Sequence, residues 1–134
     1  MLRDIGAFVV GMMVGMMANS GVLEISNAMH PMPEGLDPSD WDAMTAYIET
    51  LPTSGFVMAM LAHLSQAFFG GAVGAAISQD RPVPVALAIG GFSMVGGIMM
   101  MTMVKHPTWM YIELPLYWAC AWAAAKLVLA VRQR

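Results

Sequence analysis

Two side chains in this 134-residue sequence are chemically out of place: His63 stands near the middle of the second of four long apolar runs, and Glu113 a few residues inside the fourth. Carrying a charged group into hydrocarbon is unfavourable by about 2.5 kcal/mol or more, so both side chains must face protein or water. Gln66 lies one helical turn beyond His63, and Tyr117, four residues after Glu113, shares its face. Pro115 has no N–H for the carbonyl of Tyr111, which leaves a further acceptor beside Glu113. His63, Glu113, Tyr117 and Gln66 thus form a candidate polar hub. Three chemistries are open to it: an interhelical hydrogen bond that fixes register, a metal held by imidazole and carboxylate, or the passage of a proton or small solute.

His30 and His106 extend the candidate set. Each precedes a proline at the outer end of an apolar run, and with His63 and Glu113 they give the alternative reading, a metal-binding or redox membrane protein using His63, Glu113, His106 and His30. No HxxxH, HExxH, ExxH or CxxC spacing occurs, so such a site has to be assembled from different helices. The same two dipeptides form a faint internal echo. Each follows a methionine-rich run and precedes a helix with one ionisable group, as in transporters built from parallel repeats, although chance accounts for two matching dipeptides equally well.

Sixteen methionines are the other oddity, with Met12, Met13, Met16 and Met17 in overlapping MxxxM pairs and Met99 to Met103 at the corresponding depth of the third run. Thioethers select Cu(I), but copper permeases with that motif have three helices and a Met- or Cys-rich tail. The expectation is therefore that the methionines fill irregular gaps in the core. Ser65 and Ser93 lack any exposed elbow that would present a nucleophile. No phosphate-binding loop, dinucleotide fingerprint or extended basic patch is present, and only one histidine lies deep enough for haem, so nucleotide, nucleic-acid and haem functions find no support.

The elements that must position the hub are legible. At 58% hydrophobic and 11% charged, the chain has more apolar surface than a soluble domain of its size buries, and the expected solvent is a lipid bilayer. Spans are expected over about 5–25, 53–77, 83–104 and 108–131, each near the roughly 20 residues that cross a hydrocarbon core. Met1-Leu2-Arg3 and Ala18-Asn19-Ser20 would suit a cleaved secretory signal, but Asp4 and the apolar continuation through Val22, Leu23 and Ile25 favour a span. Residues 26–52 form an outer loop and a surface helix. Asp37 is expected as its N-cap, Pro38 in its first turn, and Trp41, Met44, Ile48 and Leu51 on one face, with the first three buried against the bundle or the interface. Gly11 and Gly15 allow close helix approach, as do Gly70, Gly71 and Gly74. Such glycine faces motivate a homo-oligomer or another membrane-protein partner. Cys120 is the single cysteine, so no intrachain disulfide forms.

Arg3, Arg81, Arg132 and Arg134 fall on one side of this arrangement, with Lys126 expected to snorkel toward them, whereas the other side has only Lys105. The positive-inside rule then places both termini in the cytoplasm. The opposite side carries an all-acidic stretch: Glu24, Glu34, Asp37, Asp40, Asp42 and Glu49.

The run Pro31-Met32-Pro33-Glu34-Gly35-Leu36-Asp37-Pro38-Ser39-Asp40, with Ala43, Ala46-Tyr47-Ile48 and Leu51-Pro52, resembles the outer loop of a group of small four-helix bacterial inner-membrane proteins of unknown function. Ala62-His63, Phe68-Phe69-Gly70-Gly71 and His106-Pro107-Thr108-Trp109 resemble their later segments. The resemblance implies a bacterial inner membrane and supplies no activity. The expectation is an all-α, integral-membrane four-helix bundle with a short amphipathic outer helix. Its expected role is non-enzymatic: an ion or small-solute pathway, or a subunit of a membrane assembly.

Overall fold

A computed structural model describes residues 1–134 as an all-α chain. Four long helices, α1 (Leu2–Met29), α3 (Thr53–Ile77), α4 (Pro82–Met103) and α5 (Glu113–Arg132), form a bundle. A short α2 (Trp41–Glu49) lies in the loop between α1 and α3. With the 3₁₀ turn Thr108–Ile112 that leads into α5, each of the four is long and apolar enough to cross a bilayer. Large apolar side chains such as Val9, Phe92, Trp122 and Leu127 face outward. So continuous an apolar exterior is the mark of a surface solvated by lipid and not by water.

α3 is the central helix and packs against α1, α4 and α5. Its neighbours sit close because the contact positions are small. A Cβ built on Gly11 of α1 would lie 2.7 Å from the carbonyl oxygen of Gly70 on α3, and one on Gly70 would lie 2.7 Å from the carbonyl oxygen of Gly11. The two backbones touch, which is how membrane helices gain packing energy without a hydrophobic drive between them. The core is accordingly built of alanine: Ala75, Ala86 and Ala125 meet between α3, α4 and α5, and Ala7 packs with Val85 and Ile89. The glycine faces that motivate an oligomer are thus engaged inside the chain at Gly11, Gly15, Gly70 and Gly74.

Few of the methionines fill the core, although Met12 packs against the cluster of Ala7, Val85 and Ile89. Met13, Met16, Met17, Met99 and Met103 face outward, and Met110 is the only one fully buried. Glycine and alanine bring the helices too close to leave irregular gaps for a long thioether. Lys126 does not reach toward the arginine-bearing end either. Its Nζ lies 5.6 Å from the centre of the Trp122 ring, one turn back along α5, where a cation–π contact holds it.

At that end, two arginine side chains do structural work. α3 ends without a basic residue in its last turn. Its free carbonyls are taken from both ends of the chain: Arg3 Nε donates to the Ile77 carbonyl (2.7 Å), and Arg132 donates to the carbonyls of Ala75, Ala76 and Ser78. The Ser78 hydroxyl donates to Asp4 and accepts from the backbone N–H of Arg81. Cations at a helix C-terminus are favoured by the macrodipole as well as by the unpaired carbonyls.

Candidate functional site

α2 starts later than its sequence suggests. Asp40, not Asp37, is the N-cap, accepting from the N–H of Ala43 at 3.0 Å. Asp37 instead folds back on Ser39, whose hydroxyl and backbone N–H both donate to its Oδ1, at 2.7 and 2.8 Å. These two bonds, the hydroxyl's first, hold the Asp37 carboxyl below the usual carboxylate range. The resulting turn takes up residues 37–40 and delays the helix to Trp41. Met44 and Ile48 are half-buried on the inward face as expected, but Trp41, at the first turn, is 45% exposed.

Beneath α2 lies a cavity of about 340 Å³. α2 lines it with Met44, Tyr47 and Ile48, the link that follows with Leu51, and α3 with Gly55, Phe56, Ala59 and His63. Met100, Met101 and Val104 contribute from the end of α4, while His30, His106, Met110 and Glu113 come from the connecting segments and the start of α5. Gly55, Ala59 and His63 recur every four residues, so one stripe of α3 forms a wall that leads down to the imidazole. Tyr47 and Lys105 tie α2 in place: the Tyr47 hydroxyl donates to the His30 carbonyl at 2.8 Å, and Lys105 Nζ lies 3.6 Å from Glu49. The second contact is exposed and contributes little.

The polar hub closes the deep end of this cavity. His63 Nδ1 is 2.8 Å from Glu113 Oε1, and the Tyr117 hydroxyl donates to the same oxygen. A carboxylate oxygen only accepts, so the imidazole carries its proton at Nδ1. Glu113 is fully buried, Tyr117 is 1% exposed, and the His63 side chain is 23% exposed. The two rings lie nearly parallel, 23° apart. The 3₁₀ turn over Thr108–Ile112 carries the chain down at about 2 Å per residue before α5 begins, which brings Glu113, its first residue, to the depth of His63.

Glu113 is unevenly satisfied. Oε1 takes two donors, whereas Oε2 is buried with no hydrogen-bond partner. Leaving a buried acceptor unpaired costs about 1–3 kcal/mol, more if it is charged. Below the hub the bundle is shut. A Cβ on Gly71 of α3 would lie 3.3 Å from the Cα of Ala121 on α5, and one on Gly90 of α4 would lie 2.7 Å from its Cβ.

Of the residues expected at the hub, His63, Glu113 and Tyr117 come together and Gln66 does not. Gln66 packs against Gly15 of α1 instead, because a three-residue step falls about 60° short of a full turn and carries it round toward α1. The four-ligand metal set does not assemble. His30 and His106 reach the cavity rim, but His30 Nε2 pairs with the Ser54 hydroxyl at 3.1 Å, and His106 Nδ1 lies 3.1 Å from the Pro107 carbonyl. No group of three His, Cys, Asp or Glu side chains is arranged to hold a metal. The Ser65 hydroxyl donates to the carbonyl of Ala62 in its own helix, and Ser93 is buried without a partner. Sequence reasoning missed Phe56, Tyr47 and the pair Met100 and Met101 as cavity residues. The four-residue spacing of Gly55, Ala59 and His63 is the one signal that could have found the wall.

Comparison with family models, with curated proteins and with solved structures found no match.

Proposed function

We propose that this chain is a non-enzymatic, multi-pass protein of a bacterial inner membrane, with both termini cytoplasmic, that binds a small solute entering from the outer side. The orientation follows from the arginines gathered at the end where α1 begins and α5 finishes. The observation that carries the binding reading is a cavity of about 340 Å³ that ends at His63 and Glu113 and has no continuation beyond them. That volume suits one small ligand, and a mainly apolar lining with a few convergent polar groups is the usual character of such sites. A continuous ion or solute pathway would have to part α5 from α3 and α4 where they meet at Gly71, Gly90 and Ala121, so a blind site fits the geometry better.

Cysteine accessibility tests this. With Cys120 replaced by alanine, Ala59→Cys lies in the cavity wall and Ala67→Cys, fully buried, lies two turns deeper. A membrane-impermeant methanethiosulfonate should modify Ala59→Cys from outside, with Ala67→Cys protected from both sides. Modification of Ala67→Cys would favour a pathway. A protected Ala59→Cys, or one reached only from the cytoplasm, would overturn the reading.

A further inference from the structure

The cavity's chemistry is lopsided in a way that selects a ligand class. Glu113 is the only acid in its lining, and no lysine or arginine lines it. Oε1 of that acid is occupied by His63 and Tyr117, while Oε2, equally buried, has nothing. Elsewhere the lining is mainly apolar and adaptable, with Phe56, Ile48, Met44 and Met101. Flexible thioethers suit an apolar body without dictating its shape. On the outer side, every charge between Glu24 and Glu49 is acidic, and this field raises the local concentration of cations at the mouth.

From these observations, and resting on the reading of the cavity as a binding site, we infer that its ligand is an amphipathic ammonium. Its N–H donates to Glu113 Oε2, and its hydrocarbon body lies against the wall formed by Phe56, Ile48 and the methionines. The orphan oxygen calls for a donor, so a primary amine satisfies it and a quaternary one does not. The acid calls for a cation, so an alcohol of the same length is held less tightly and a carboxylate is excluded. His63 and Tyr117 are positioning residues in this arrangement. By saturating Oε1, they leave Oε2 as the free acceptor.

The test uses the intact protein in lipid nanodiscs, with empty nanodiscs subtracted for partitioning. The probes are n-hexylammonium, hexyltrimethylammonium, hexanol and hexanoate, followed by calorimetry. Hexylammonium should bind saturably at one site per chain, at least tenfold tighter than hexyltrimethylammonium or hexanol, with no binding of hexanoate. Glu113→Gln should weaken hexylammonium at least tenfold. Ala59→Phe, which adds bulk to the wall and leaves the carboxylate in the sequence, should abolish binding of every probe and so guards against a misfolded Glu113 variant. If hexanol or hexanoate binds as well as hexylammonium and is blocked by Ala59→Phe, the cavity is a binding site and the ammonium inference is overturned. If no probe binds saturably, or Ala59→Phe changes nothing, the inference falls together with the reading it rests on.

Discussion

Gly96 and Gly97 are adjacent in α4, and the structure assigns them opposite responses to the same methyl group. A Cβ on Gly96 meets nothing within 4 Å. One on Gly97 would overlap the Tyr117 hydroxyl and lie 2.9 Å from its Cζ and 3.1 Å from its Cε2. Tyr117 is 1% exposed and its hydroxyl is bonded to Glu113, so the ring has no free direction in which to yield. Overpacking of this kind costs about 1–3 kcal/mol. If the ring moves far enough to break the bond to Glu113, a buried donor and acceptor are separated at about 1–3 kcal/mol more. Alanine's helix propensity returns about 1 kcal/mol relative to glycine. Gly97→Ala is thus expected to destabilise by about 3 kcal/mol, and Gly96→Ala to be neutral or stabilising by up to about 1 kcal/mol. In a Tyr117→Phe background the nearest atom and the bond are both gone, so Gly97→Ala should cost only about 1 kcal/mol. Reversible unfolding in mixed micelles, followed by circular dichroism, measures all four corners of the cycle. Equal stability of the two alanine variants, or a Gly97→Ala cost unchanged by Tyr117→Phe, would show that Tyr117 does not stand where the hub requires it.

Glu113→Ala strips an acceptor from a fully buried tyrosine and a half-buried histidine, and is expected to cost about 3–5 kcal/mol in the same assay; a cost near zero would mean the pair is not buried. Arg132→Ala removes donors from the carbonyls of Ala75, Ala76 and Ser78, and should speed hydrogen exchange at the end of α3 while leaving its first turns unchanged. Asp40→Ala deletes the cap of α2 at a local cost of about 1 kcal/mol, seen as faster exchange over Trp41–Glu49, whereas Asp37→Ala should loosen only the preceding turn. Because the bonds from Ser39 depress the Asp37 pKa, that turn is intact above the usual aspartate range and is lost as pH falls through the depressed value. Exchange at Ser39 should rise at acid pH, and a rise at alkaline pH would contradict the assignment.

Much of the fold was set by patterns that need no partner. Four apolar runs of bilayer length dictate four helices. The proline-rich run at residues 31–38 breaks the chain between α1 and α2, and Pro52 and Pro82 mark where α3 and α4 begin. The meeting of His63 with Glu113 was also legible, because polar groups in apolar helices must find one another or water. What the residues could not declare was direction around each axis. α3 is apolar nearly all round and offers no polar stripe to orient it, so Gln66 could not be told apart from His63 until contact with Gly15 fixed its side. The same holds for the methionines. A thioether suits a core gap or a lipid face equally, and whether a gap exists depends on how closely Gly11 and Gly70 let two backbones approach. The start of α2 was decided by competition between two aspartates for one role, settled when Ser39 engaged Asp37 and left Asp40 as the cap. Composition and spacing thus determined which segments are helices and which side chains could not face lipid. Only the tertiary structure decided which faces meet, because that depends on distances between residues far apart in the chain, and with them the cavity and the unpaired oxygen at its floor.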